Sequence, residues 1–577
     1  MNISALVLIL NHPIKSNKKS EKKNYLNKYL IPYLPLILLI IIVSIITYYR
    51  VMIQIELGPL SDSCDFLLNA LVFAGQGVGY YDWTRPPFFS FIISIFFRLG
   101  FVSTATIFIV DGLTFIFGVI GFYLFLKLRF NNIESFLGGL IFATFPTVLS
   151  VLGTGFPDLT SVTFSIWALY FLVLAVKKDS KFFILAFPLM MMAFLTRYNT
   201  ALLLFPIALY ILINKDEIKN FKTILIGILG SILLLIPVFT FFYEKFGNIL
   251  YPFISTLGTT ITSTSSENYY YNPNLLYYLD RFPIHTGFEG LLIIFIIIVG
   301  FVIYLLFNLK RKSIDKKLFE WFDIKKTSSK LKIIVFFVLT LIFIGTFGQV
   351  NYMITEVIFF GLIFLFYDLT KYLNVKNMDM YLLVFVWYMV FFIFNSVYVI
   401  KTDRYFVLMA PAVSFFLLLG LSEISNRLPF NFKKKNLTFP ILAVILTLMI
   451  LLSTTAFLPI IKKENNDYKV SNEQVTLISE WFTTYDPNYK NKIIYSDLWP
   501  YMAWSLKTNV KIMPIFKNNQ SYIGGIKNST FSPQDSIAFN NFLVQNNADY
   551  YFCVQQINLT SYKPIKQFGN MIIYQKI

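Results

Sequence analysis

The sequence predicts a polytopic α-helical membrane protein with about thirteen transmembrane helices. Interfacial helices are expected in the first outer loop, and a small extracytoplasmic α/β domain at the C-terminus. Three observations predict this. Apolar residues make up 56% of the chain and charged residues only 14%, against roughly a quarter charged in ordinary soluble domains. Segment after segment reaches the ~20 apolar residues that cross a bilayer. Lys and Arg gather in short loops that fall alternately on one side, the positive-inside pattern. The net charge of +18 is thereby explained by topology, and no nucleic-acid partner is expected.

Residues 1–29 read as a basic cytoplasmic N-terminus. The opening apolar run is short, has no small-residue cleavage site and precedes a basic stretch at 15–28, so it is not a cleaved signal peptide. The transmembrane region is assigned to 30–460, starting with a span near 30–49 that runs outward. A polar outer loop follows, from Arg50 to about Arg85. Residues 86–99 are apolar and aromatic but short, which predicts an interfacial helix on the outer surface. Spans near 103–126, 135–153 and 159–176 put Lys127 and Arg129 inside, Asp158 outside, and Lys177, Lys178 and Lys181 inside. Two shorter spans flank Thr196, Arg197 and Tyr198 on the outside. A span near 223–242 leads to a long outer loop, 243–288, rich in Tyr, Asn, Ser and Thr. Spans near 289–309, 333–349, 353–367 and 381–400 follow, with a strongly basic loop inside at 310–332. Lys401, Thr402, Asp403, Arg404 and Tyr405 then face outward, and spans near 406–421 and 439–459 complete the set.

Beyond residue 460 polar residues return, and 461–577 reads as the soluble α/β domain. Helices are expected at 475–485 and 536–545, with strands at 492–495, 510–513 and 550–554. Trp499, Tyr501 and Trp504 are spaced for one helix face and read as core. Asn528 and Asn558 open N-glycosylation tripeptides that arise readily by chance in an Asn-rich chain.

Several residues are candidates for chemistry. Two cysteines, Cys64 and Cys553, and two histidines, His12 and His285, exclude a disulfide framework and a multi-histidine metal centre. Asp62 and Asp65 lie three apart and share a face if helical. Like charges that close call for a cation or proton; the competing reading is a helix N-terminus with a solvated Asp65. Arg85, Arg197 and Arg404 reach the outer face from three separate parts of the chain. A guanidinium fork suits phosphate, while snorkelling to head groups, or pairing of Arg404 with Asp403, is the rival role. Tyr269, Tyr270, Tyr271, Tyr277 and Tyr278 fit a sugar-stacking or lipid-gating surface, or the ordinary aromatic belt of a membrane interface.

The order of these motifs resembles the membrane-embedded C-type glycosyltransferases that use lipid-phosphate sugars, such as protein O-mannosyltransferases and the lipid A aminoarabinose transferase. The resemblance rests on Asp62, Ser63, Cys64 and Asp65 after the first span, then Asn69 and Ala70, then Arg85, Pro86 and Pro87. Later landmarks are Phe156, Pro157 and Asp158; Thr196, Arg197 and Tyr198 with Pro206; and Arg404 and Tyr405 with Pro411. It spans about 30–460. Many relatives carry Asp–Glu where this chain has Asp62 and Ser63, so the base is expected at Asp62, with Asp65 second.

The resemblance implies an inverting glycosyltransferase that moves a sugar from a polyprenyl- or dolichyl-phosphate donor to an extracytoplasmic protein, lipid or glycan. Asp158 would orient the acceptor or the base. Arg85, Arg197, Arg404, Tyr405, Asp82, Arg281 and His285 would bind substrate. A glycosyl phosphate carries its own leaving group, so one base and several cations suffice. No cofactor is required on this reading. A metal-dependent oligosaccharyltransferase, holding a divalent cation on Asp62, Asp65 and Asp158, is the rival within the class. A lipid-linked sugar transporter or flippase is a rival of a different class, and a polysaccharide polymerase is a third. A transporter places ionisable residues within spans, and Asp111 is the clearest acid inside one here.

Overall fold

The computed structural model describes residues 31–254, 268–309, 327–371, 375–432, 435–518, 520–522 and 530–577. The basic stretch 15–28, His12, most of the basic loop at 310–332, Lys433, Lys434 and Asn528 lie outside the described residues. Eight helices among the described residues are long and apolar enough to cross a membrane, so the protein is multi-pass. The helices run in order: α1 (Leu34–Leu57), α2 (Ser61–Phe73), α3 (Pro87–Arg98), α4 (Thr104–Leu126), α5 (Asn132–Thr144), α6 (Pro146–Val151), α7 (Pro157–Lys177), α8 (Phe183–Thr196), α9 (Leu204–Ile213), α10 (Lys222–Phe246), α11 (Phe282–Leu309), α12 (Thr327–Thr346), α13 (Tyr352–Thr370), α14 (Met378–Val397), α15 (Ala410–Arg427) and α16 (Thr438–Glu464).

The eight span-length helices are α1, α4, α7, α10, α11, α13, α14 and α16. The other five expected spans fall on helices with shorter apolar stretches, such as Leu331–Thr346 within α12, or on interrupted ones, and the interruptions have local causes. The segment expected at 135–153 breaks at Pro146, which has no N–H to donate and holds Phe145 extended (φ −53°, ψ 133°). Arg197 is extended (φ −154°, ψ 114°), so α8 stops there and a 3-10 turn, Tyr198–Leu203, leads into α9. A 3-10 turn at Asp403–Leu408 likewise precedes α15.

Helix α1 runs past the expected end of the first span, and Arg50 therefore belongs to it instead of opening a polar loop. Arg50 is buried, and its guanidinium donates to the carbonyls of Leu149 (2.9 Å) and Ser150 (3.0 Å). Asp111 is buried beside the same loop, where its carboxylate accepts from the Gly155 N–H (3.4 Å). Ser63 Oγ donates to the Thr154 carbonyl (2.8 Å). Residues 149–155 are thus held on three sides, and Asp158 follows in the first turn of α7. Close helix approach supports this: a Cβ on Gly121 of α4 would lie 2.7 Å from the Trp167 ring of α7, and one on Gly112 would lie 2.8 Å from Thr47 of α1.

Helix α16 continues to Glu464, past the residue-460 boundary. Beyond it come α17 (Asn466–Tyr485), α18 (Trp499–Leu506) and α19 (Pro533–Gln545). They accompany a five-stranded sheet in the order β2-β1-β5-β7-β6, built from β1 (Ile494–Ser496), β2 (Val510–Ile512), β5 (Tyr550–Cys553), β6 (Tyr562–Phe568) and β7 (Met571–Lys576). A separate hairpin joins β3 (Ile515–Lys517) to β4 (Gln520–Tyr522). Strand β1 is parallel to β2 and β5, while β7 is antiparallel to β5 and β6. One apolar core joins this region to the first loop: Phe66, Leu67, Phe89 and Ile93 of α2 and α3 pack in a cluster with Ile478, Phe482, Met502 and Phe552. The α2–α3 pair is therefore gripped between the membrane bundle and the C-terminal sheet.

Candidate active site

Helix α2 begins after Gly58 (φ 85°) and Pro59 end α1, which puts Asp62 in its first turn and Asp65 one turn on. Pro86 and Pro87 start α3 just after Arg85. The connecting segment is fixed by Asn69, whose amide donates to the Asp82 carbonyl (3.0 Å) and accepts from the Asp82 N–H (2.9 Å). Arg85 is thereby turned onto three carboxylates. Its Nη2 donates to Asp62 (2.9 Å) and Asp65 (2.7 Å), and its Nε to Asp82 (3.1 Å).

The distant parts of the chain arrive at the same place. Arg404 Nη1 donates to the second oxygen of Asp62 (3.0 Å). Its guanidinium also lies 4.5 Å from the Phe156 ring and 5.6 Å from that of Tyr405. Arg197 pairs with the fully buried Asp158, and its guanidinium lies 4.9 Å from the same Tyr405 ring. Asp62, Asp82, Arg85, Asp158, Arg197 and Arg404 line one cavity of about 1270 Å³. Asp65 is 2% exposed and stands behind Arg85, whereas the Asp62 side chain is 28% exposed and faces the cavity.

Other sequence candidates lie elsewhere. Arg281 does not line the cavity; it makes a two-pronged ion pair with Asp403 (2.7 Å for each bond). His285 is buried on Phe406 (ring centroids 4.5 Å apart), with Nδ1 3.2 Å from the Thr147 hydroxyl. The cavity also has walls that residue spacing did not indicate. Tyr80 donates to Asp65 (2.9 Å) and accepts from the Trp499 indole N–H (2.9 Å). Trp499, with Tyr501 and Trp504, packs against the core as expected, and it also reaches the cavity along with Asn509 and Lys511. The density of polar residues around Tyr80 was the signal for the first; nothing local marked the second. Lys245 and Lys511 complete the wall, each over an aromatic ring (Trp83 at 4.9 Å, Tyr495 at 5.6 Å).

Charge is balanced unevenly across the two acids. Burial would raise the Asp62 carboxyl, but Arg85 and Arg404 outweigh it and hold it well below the usual carboxylate range. Burial pushes Asp65 up to about 7; Arg85 opposes this, and the neighbouring Asp82 and Asp62 add to it. Asp158 Oδ2, Arg197 Nε and Arg404 Nε have no hydrogen-bond partner. The carboxylates converge on guanidinium where a metal would need their oxygens. Among the described residues no group of three or more His, Cys, Asp or Glu is arranged to hold a metal ion.

An apolar groove of about 570 Å³ adjoins the polar cavity and shares Tyr198 and Asn199 with it. Phe194, Leu202, Phe205, Phe253, Tyr352 and Phe360 line it.

Residues 84–241 match the family described as dolichyl-phosphate-mannose-protein mannosyltransferase. The crystal structure of ArnT from Cupriavidus metallidurans bound to undecaprenyl phosphate is similar over 94% of this chain and 98% of its own, with a TM-score of 0.55 at 11% identity. The same protein in its apo state is similar over the same shares, with a TM-score of 0.52 at 11% identity. The apo oligosaccharyltransferase of Archaeoglobus fulgidus is similar over 91% of this chain and 70% of its own, with a TM-score of 0.51 at 13% identity. No curated protein matches the chain. At such identities the likeness is one of fold, and it joins the family match on the segment that carries Arg85, Asp158 and Arg197.

Proposed function

We propose that this chain is a membrane-embedded C-type glycosyltransferase and moves a hexosyl or pentosyl group from a polyprenyl- or dolichyl-phosphate donor to an extracytoplasmic acceptor, a reading supported by the family match at 84–241 and the shared fold. The observation that carries the reading is the meeting of Asp62, Asp158, Arg85, Arg197 and Arg404 in one cavity. Asp62 is the base because it alone of the close pair faces the cavity, whereas Asp65 is buried behind Arg85. The acceptor O–H or N–H proton passes to the Asp62 carboxylate. The freed lone pair attacks the anomeric carbon, and the bond from that carbon to the phosphate oxygen breaks with its electrons leaving on the carrier phosphate. A single displacement inverts the sugar. The arginines hold the departing anion, and the adjoining apolar groove suits the carrier's hydrocarbon tail.

In the empty site Asp62 is a weak base, since two guanidiniums neutralise it. A donor phosphate competes for Arg85 and Arg404, and as they turn to it the carboxylate regains basicity. Donor binding thus prepares the base, and the acceptor follows. Asp158 holds Arg197 in place from α7. A divalent cation is not required on this reading, because the donor set fits guanidinium better than metal. Asp111 bonds a backbone N–H in a packed loop, which favours a structural role over a place on a transport path.

The test is transfer of labelled sugar from a polyprenyl-phosphate donor by purified Asp62→Asn and Asp65→Asn variants. Loss in Asp62→Asn supports the assignment, and full activity in both sinks it. Movement of intact donor across proteoliposomes without transfer would select a flippase. A lengthened lipid-linked glycan as product would select a polymerase.

A further inference from the structure

The outer loop before α11 is stitched to the segment that carries Arg404. Asn272 N–H donates to the Val399 carbonyl (2.8 Å) and Lys401 N–H to the Tyr270 carbonyl (3.0 Å), around a β-bridge between Tyr271 and Ile400. The Tyr278 hydroxyl donates to the Thr402 carbonyl (3.3 Å). Beneath it, Lys401 Nζ donates to three carbonyls at the end of α14: Asn395 (3.0 Å), Ser396 (2.7 Å) and Tyr398 (2.9 Å). Asp403 is the last anchor, and the strongest. Arg281 grips it with two bonds of 2.7 Å, and the Tyr277 hydroxyl adds a third at 2.9 Å. The next residue in the chain is Arg404, whose side chain crosses to Asp62 on the opposite wall.

We propose that Arg281 and Asp403, with Tyr277, are positioning residues that aim Arg404 into the cavity and so set the affinity for the donor's phosphate. A two-pronged guanidinium–carboxylate pair fixes direction as well as distance. With the Asp403 side chain held from the loop, the backbone at 403–404 has no freedom to roll, and the Arg404 side chain leaves it on the cavity side. Without Arg281, Asp403 keeps only the Tyr277 bond, and the segment that carries Arg404 loses its two-pronged hold. The pair therefore orients the segment that carries Arg404. Neither residue touches the substrate.

The inference rests on the donor reading above, and the experiment separates the two. Undecaprenyl phosphate is titrated into the purified full-length protein and into Arg281→Gln, Arg404→Gln, the double variant, Tyr277→Phe and Arg281→Lys. Arg404→Gln is expected to weaken binding about tenfold or more, and Arg281→Gln about three- to tenfold. Because Arg281 acts through Arg404, the double variant should bind no more weakly than Arg404→Gln, within about twofold. Tyr277→Phe, which removes one bond and leaves the ion pair, should weaken binding by less than Arg281→Gln; Arg281→Lys keeps charge without the fork and should fall between. Unchanged affinity in Arg281→Gln beside weakened Arg404→Gln overturns the clamp alone. So does a double variant whose loss is the product of the single losses. No binding by the parent protein overturns the donor reading itself.

Discussion

Removing the Tyr80 hydroxyl should move the acid limb of activity upward in pH without changing the plateau. Tyr80 donates to Asp65 at 2.9 Å, and this bond favours the ionised carboxylate. Asp65 already titrates near 7, raised by burial and by the neighbouring acids against the pull of Arg85. Its ionised form shares Arg85 with Asp62 and Asp82, while its neutral form leaves more of that guanidinium to Asp62 and depresses the base. Activity should therefore be high above the Asp65 value and fall as pH drops through it. In Tyr80→Phe the charged form loses a donor, so the value rises. A hydrogen bond to a charged group is worth about 1.5–3 kcal/mol, partly recovered from Arg85 and water, and one unit is about 1.4 kcal/mol. A rise of about one unit takes the ionised fraction at pH 7 from roughly half to roughly a tenth, a loss of about fivefold that vanishes by about pH 9. The assay is initial transfer rate from pH 5 to 9 at saturating donor. A limb that stays put while the rate falls uniformly, or a limb that moves to lower pH, would refute the reasoning. Trp499→Phe should shift the limb in the same direction by less, because the indole acts one bond further out.

Further expectations concern the base, the metal question, the packing and the sidedness. Asp62→Asn should lower the transfer rate by about 10²–10⁴-fold while donor binding is kept or tightened, because the carboxylate that competes for Arg85 and Arg404 is gone; kcat is read against KM. Chelation should leave the rate unchanged, since Asp62, Asp65 and Asp82 are already turned onto Arg85; loss that manganese or magnesium restores would select a metal-dependent enzyme. Gly121→Leu puts a side chain against the Trp167 ring and should lower the melting temperature of the purified protein by several degrees. The exposed Thr84, replaced by Cys, should react with a membrane-impermeant maleimide added outside intact cells, while Cys64 and Cys553 stay protected by burial.

How much of this was legible in the sequence depends on how far each contact reaches. Asp62, Arg85, Asp158, Arg197 and Arg404 were legible because the topology puts their loops at one end of the bundle and the order of their motifs resembles that of a known transferase family. The order of motifs pointed to the fold shared with the solved structures. Arg50 was misjudged because a cation at the end of a hydropathy window looks like the start of a loop; only the broken α5–α6 helix, with its free carbonyls at Leu149 and Ser150, shows why it stays in the helix. Arg281 and His285 looked like substrate contacts because their loop is outside, and no local pattern told that Asp403, 122 residues later, claims Arg281. Trp499 does pack against the core, but its bond to Tyr80, 419 residues away, had no local signal.

The arrangement also explains how so many charges stand together beside a membrane. Desolvating a lone carboxylate or guanidinium costs several kcal/mol, so a site of five ionised groups needs its own counter-ions before any ligand comes. Arg85 and Arg404 neutralise Asp62; Asp158 neutralises Arg197. Yet the match is incomplete in one respect. Arg197 and Arg404 each keep an unbonded Nε. A phosphate supplies acceptors for such donors and, by drawing Arg404 from Asp62, leaves the carboxylate exposed at the point where the acceptor arrives. The ion pairs that hold the empty site together are, on this argument, the ones that the donor must exchange.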